Sequence, residues 1–113
     1  MASLLLQYGA NPNQINGFGR SALSVAAGHG HLGMVRLMLD HGADIELSNG
    51  DGDTPLSLAA AHGHHAVVAE LMNRGADPHV ARHRDGASPL MRAAAGDHVA
   101  AVQTLLELGV RAL

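Results

Sequence analysis

The stretch Asp53-Thr54-Pro55-Leu56-Ser57-Leu58-Ala59-Ala60-Ala61-His62-Gly63-His64 decides the fold, because its landmarks recur at a fixed distance on both sides. Ser21, Leu23, Ser24, Ala26, Ala27, Gly30 and His31 stand 33 positions before Thr54, Leu56, Ser57, Ala59, Ala60, Gly63 and His64. On the other side the spacing is 34, giving Ser88, Pro89, Leu90, Ala93, Ala94 and His98. Gly9, Gly42 and Gly75 keep the 33-residue beat, and Gly109 falls one residue late. A period of this length marks stacked units, none of which can bury its apolar face alone.

Each unit reads as two short helices. Thr54 is a good N-cap and Pro55 suits the first helical position, where its missing N–H costs nothing. The first helix of each unit is rich in Ala, as close packing against neighbours requires. The second carries a broad apolar arc, Leu32, Met34, Val35, Leu37, Met38 and Leu39 in one unit and Val67, Val68, Leu71 and Met72 in the next. Gly42, Gly75 and Gly109 are expected to stop these outer helices. Asn16-Gly17-Phe18-Gly19-Arg20 and Asn49-Gly50-Asp51-Gly52-Asp53 read as tight turns between units.

Composition narrows the function. With one Phe, one Tyr and no Trp the core must be aliphatic, and with no Cys there is neither a disulfide framework nor a thiolate site. The formal charge of -3 argues against a nucleic-acid or anionic-membrane surface. The N-terminal residues have no basic segment of signal-peptide type and no run reaches membrane-spanning length, so a cytoplasmic protein is expected. All seven basic residues are Arg, a bias that fits a GC-rich coding sequence of bacterial type.

Thr54-Pro55-Leu56-Ser57-Leu58-Ala59, Gly63-His64, Val67-Val68, Leu71 and Gly75-Ala76-Asp77 together resemble an ankyrin repeat. The resemblance covers the chain as a half repeat (1–15), a repeat (16–48), a repeat with one inserted residue at its end (49–82) and a C-terminal repeat (83–113). It implies one domain, an all-α solenoid of paired antiparallel helices joined by β-turn or hairpin loops. It also implies a protein that binds another protein on its concave surface and performs no reaction. Carried over by position, the contact residues are Phe18, Arg20, Asp51, Asp53, Arg84 and Asp85 at the tips, with His29, Ala61, His62 and Ala95 at the inner-helix ends. The second expectation is a structural or engineered unit that self-assembles into a homo-oligomer through its incomplete first repeat.

Three departures from the pattern set local expectations. Ser24, Ser57 and Met91 stand where the family usually has His, so the last repeat should lose a local hydrogen bond. Asp97 replaces the glycine of Gly30 and Gly63, and the turn there should differ. Arg92 replaces Val25 and Leu58, which suits a terminal unit with water on its open side.

The nine histidines suggest a metal ladder, yet His31, His64 and His98 occupy a structural place in the family pattern, and no metal or other cofactor is expected. Asp51 and Asp53 read as turn residues rather than calcium ligands. Ser24 and Ser57 sit in helix openings without a nucleophile-elbow pattern, so no catalytic residues are assigned. Protonating every His would take the formal charge from -3 to +6, and stability or binding is expected to weaken between about pH 7 and 5.

Overall fold

A computed structural model describes residues 21–48, 52–79 and 86–111, with 110 and 111 described as backbone only. These residues form six helices: α1 (Ala22–Gly28), α2 (Leu32–Asp40), α3 (Pro55–Ala61), α4 (His65–Asn73), α5 (Pro89–Ala95) and α6 (Val99–Arg111). The half repeat at 1–15, the turn residues 16–20 and the inserted residue within 80–85 lie outside the described residues.

The helices pack as a stack of hairpins. Within each repeat the inner helix lies on the outer one, as α1 on α2, α3 on α4 and α5 on α6. Between repeats the inner helices α1, α3 and α5 pack in series, and so do the outer helices α2, α4 and α6. Inner helices of 7 residues and outer ones of 9, 9 and 13 are too short to persist alone, so packing holds them. The shared core joins Leu23, Leu56 and Ala93 of the inner row to Val35, Val67, Val68, Leu71 and Leu105 of the outer row.

Each inner helix opens the same way. Its capping residue is extended, and the Ser21, Thr54 or Ser88 hydroxyl oxygen accepts the N–H of Ser24, Ser57 or Met91 at 3.1, 3.2 and 3.3 Å. The Ser24 and Ser57 hydroxyls donate in return to the Ser21 and Thr54 carbonyls, both at 2.9 Å. Met91 has no such donor.

Two expectations are corrected. The turn at Asp97 is the same as the other two: Asp97 has φ 60 where Gly30 and Gly63 have φ 74. The His31, His64 and His98 amides all donate to the carbonyl five residues back, at 2.9 Å each. Asp is among the few side chains that tolerate this left-handed conformation. The closing helix, in turn, does not stop at Gly109 but continues through Arg111. Gly42 and Gly75 end α2 and α4 with φ 88 and 100, and the next amide, of Ala43 or Ala76, bonds back to Met38 or Leu71. Asp44 and Asp77 then accept the amides of Glu46 and His79. After Gly109 the sequence offers Val110 and Arg111 instead of Ala and Asp, so nothing turns the chain away from the helix.

Candidate partner-binding surface

A repeat unit has a face toward the preceding repeat and a face toward the following one. A Cβ placed on Gly28 would touch Leu58 and His62, at 3.8 and 3.9 Å, so Gly28 faces forward and Leu58 and His62 face back. Residues four apart share a helix face. Ser24, Ser57 and Met91 are therefore forward residues with Gly28, Ala61 and Ala95, while Val25, Leu58 and Arg92 face back with His29, His62 and Gly96.

This geometry explains the histidine ladder. The Nε2 atom of His64 lies 3.0 Å from the Gly28 carbonyl, and that of His98 lies 3.0 Å from the Ala61 carbonyl. A carbonyl only accepts, so Nε2 carries the hydrogen and donates it. Each ring thus ties the start of one outer helix to the end of the preceding inner helix, satisfying a carbonyl that the helix itself leaves open. His29 does a local version of the same thing: its Nδ1 donates to the Val25 carbonyl at 2.9 Å. The rings of His29 and His31 stack at 5.9 Å, and those of His62 and His64 lie at 6.2 Å. Among the described residues no three His, Asp or Glu side chains converge as a metal site.

Ion pairs fasten the two junctions differently. Between the first and second repeats, Glu70 accepts from Arg36 at 3.1 Å and from Arg74 at 2.6 Å, and Arg74 also reaches Asp40 at 2.7 Å. The hydrogen bond from Arg74, followed by that from Arg36, holds the Glu70 carboxyl below the ordinary glutamate range. Asp40 and Glu70 together raise the Arg74 guanidinium further above its already high value. Between the second and third repeats the pair is Arg92 with Asp53, at 3.2 Å, and it is far more enclosed, the two side chains being 18% and 10% exposed. Arg92 therefore does not face water on an open side. It faces back, in the place of Leu58, toward the turn that opens the second repeat.

The contact residues expected from the sequence now separate. His29 and His62 are exposed at the ends of α1 and α3, and Ala95 is exposed at the end of α5. Ala61 is half-buried, with its carbonyl engaged by His98. Asp53 is buried and paired with Arg92, which removes it from the accessible tips. Phe18, Arg20, Asp51, Arg84 and Asp85 lie outside the described residues. Apart from this edge, an apolar groove of about 150 Å³ runs along α5 and α6, lined by Pro78, His79, Ser88, Leu90, Leu105, Leu106 and Gly109.

A family model described as ankyrin repeats, in three copies, matches residues 1–82 and 46–112. No curated protein matches the chain. No helix among the described residues is long and apolar enough to cross a membrane.

Proposed function

Since this chain belongs to the ankyrin-repeat family, we propose that it is a binding module that holds another protein on the edge formed by its hairpin tips and inner-helix ends. No reaction and no cofactor enter this proposal. The observation that carries it is the division of labour within each repeat. The residues that recur with the period, such as Leu56, Ala59, Ala60, Val67 and Leu71, are buried, while His29, His62 and Ala95 stay exposed at the inner-helix ends. Side chains that stacking does not consume are the ones left to recognise a partner. The tip residues Phe18, Arg20, Asp51, Arg84 and Asp85 are proposed to extend the same edge, and Phe18 and the arginines are of the types enriched at binding hot spots.

The test is cross-linking with mass spectrometry in extract of the source cell, comparing wild type with a Phe18→Ala/Arg20→Ala/His62→Ala/Arg84→Ala variant. Cross-links concentrated on inner-helix ends and lost in the variant support the edge. Equal recovery of every partner by both proteins places binding elsewhere.

A further inference from the structure

The three turns that join an inner helix to its outer partner lie at one end of the stack, because the inner helices pack in series and the outer helices do likewise. Six histidines fall there: His29 and His31, then His62, His64 and His65, then His98. The one carboxylate in these turns is Asp97, and no arginine accompanies it. The row is continuous from repeat to repeat. His29 lies ring to ring with His31, and His62 with His64, while the His64 and His98 rings reach the Gly28 and Ala61 carbonyls beside His29 and His62.

The charged groups of the packed helices are engaged elsewhere. On α5 the Arg92 guanidinium is drawn to Asp53 at the opposite end of the inner row, and on the outer helices Arg36, Asp40, Glu70 and Arg74 engage one another. Each hydrogen-bonded imidazole commits one nitrogen as donor, Nδ1 in His29 and Nε2 in His64 and His98, and its second nitrogen is the one that takes up a proton. Imidazoles as a class change charge between about pH 8 and 5. Over that interval the rim passes from a neutral strip to a row of cations.

We propose that this rim is a proton-gated docking strip for an extended, acidic segment of a partner protein. The inference rests on the inner-helix edge proposed above and adds the partner's chemistry and its regulation. Packed helices stand about 8–10 Å apart and an extended chain rises about 3.3 Å per residue, so a carboxylate at every third residue meets the imidazoles of a new repeat. Such carboxylates are ionised throughout the interval in which imidazoles charge. Linkage fixes the sign: a segment that prefers the protonated rim binds tightly below the imidazole range and is released as pH rises through it. For binding this reverses the weakening expected from the sequence, because the fold gathers the new charge on one rim instead of spreading it.

The probe is a synthetic peptide with glutamate at every third position between glycines and serines, titrated calorimetrically into the full chain at low ionic strength, at about pH 7.5 and about pH 5.5. Affinity should rise by about 10-fold or more at the lower pH, and His29→Gln/His62→Gln should lose most of that rise. Should the double variant fail to fold by circular dichroism, His62→Gln alone makes the same comparison. An affinity independent of pH, an equal rise in the variant, or no binding at either pH overturns the proposal. Tighter binding of a poly-dT oligonucleotide or of phosphatidylserine vesicles than of the peptide at the lower pH also overturns it, since the rim then takes another class of anion. The underlying edge fails separately: cross-links that stay on the inner-helix ends while this titration shows no pH dependence keep the edge and remove the gate.

Discussion

Arg92 reaches back from the third repeat to Asp53 at the opening of the second, 3.2 Å away and largely shielded from water. An arginine in the place of Leu58 therefore acts as a fastener between repeats. Truncating it takes a charged neighbour away from an enclosed carboxylate, which also lies 3.5 Å from the Ser57 hydroxyl. Arg92→Ala should destabilise the protein by about 2–4 kcal/mol, while replacing both partners by apolar residues should cost less than the sum of the single changes. Urea denaturation of Arg92→Ala, Asp53→Ala and the double variant measures the coupling, and additive effects would show that the pair is incidental.

Gly63→Ala should be more harmful than an ordinary glycine-to-alanine change in a loop. The left-handed backbone costs about 1–2 kcal/mol for a residue with a Cβ, and the His98 ring is pushed off the Ala61 carbonyl in addition. His98→Ala alone should lose about 1–2 kcal/mol from the abandoned hydrogen bond. Gly63→Ala on top of His98→Ala should then cost only the backbone part. Thermal melts of the three proteins decide it, the signature being sub-additivity.

Thr54→Ala removes the oxygen that receives the Ser57 amide and should cost about 1 kcal/mol, with Thr54→Ser keeping most of the stability. The same change at Ser88 should cost no more, since its cap bond to Met91 is longer and stands without a return bond from residue 91. Chemical denaturation midpoints at equal m-values make the comparison.

Acid should weaken the junction of the first and second repeats through Glu70. Its folded pKa lies below the ordinary value, held there by Arg74 and then Arg36. A depressed carboxylate contributes stability that is present above the unfolded pKa and lost as pH falls through the folded one. The loss due to Glu70 therefore begins below about pH 4.5. The raised pKa of Arg74 works at the opposite extreme, where its contribution disappears only in strong alkali. Glu70→Gln should flatten the acid limb of a plot of melting temperature against pH without moving its neutral plateau much, because these exposed pairs are individually weak. An unchanged acid limb would remove Glu70 from the account.

Much of the fold was written locally. Thr54, Pro55, Gly42 and Gly75 each act within their own turn or helix end, and the 33-residue period says that the turns repeat. What was not legible lies between repeats. Arg92 and Asp53 are 39 positions apart, and only the rule that residues 25, 58 and 92 face backward brings them together. The rule could have been drawn from the period itself, since a charge in the place of Leu58 must find a partner in the preceding unit. Asp97 misled because a side chain at a glycine place suggests a different turn, whereas Asp adopts the left-handed one. For the contact edge, the period separates scaffold from non-scaffold residues. It does not tell that Asp53, outside the pattern, is consumed by packing.

The fasteners of the two junctions sit on opposite walls of the solenoid. The charged network of Arg36, Glu70, Arg74 and Asp40 ties α2 to α4 on the outside, whereas Arg92 and Asp53 tie the inner row, and no ion pair among the described residues links α4 to α6. Raising ionic strength softens the outer fastener first, because its charges are the exposed ones. One junction of the stack therefore carries a salt-adjustable fastener and the other a shielded one.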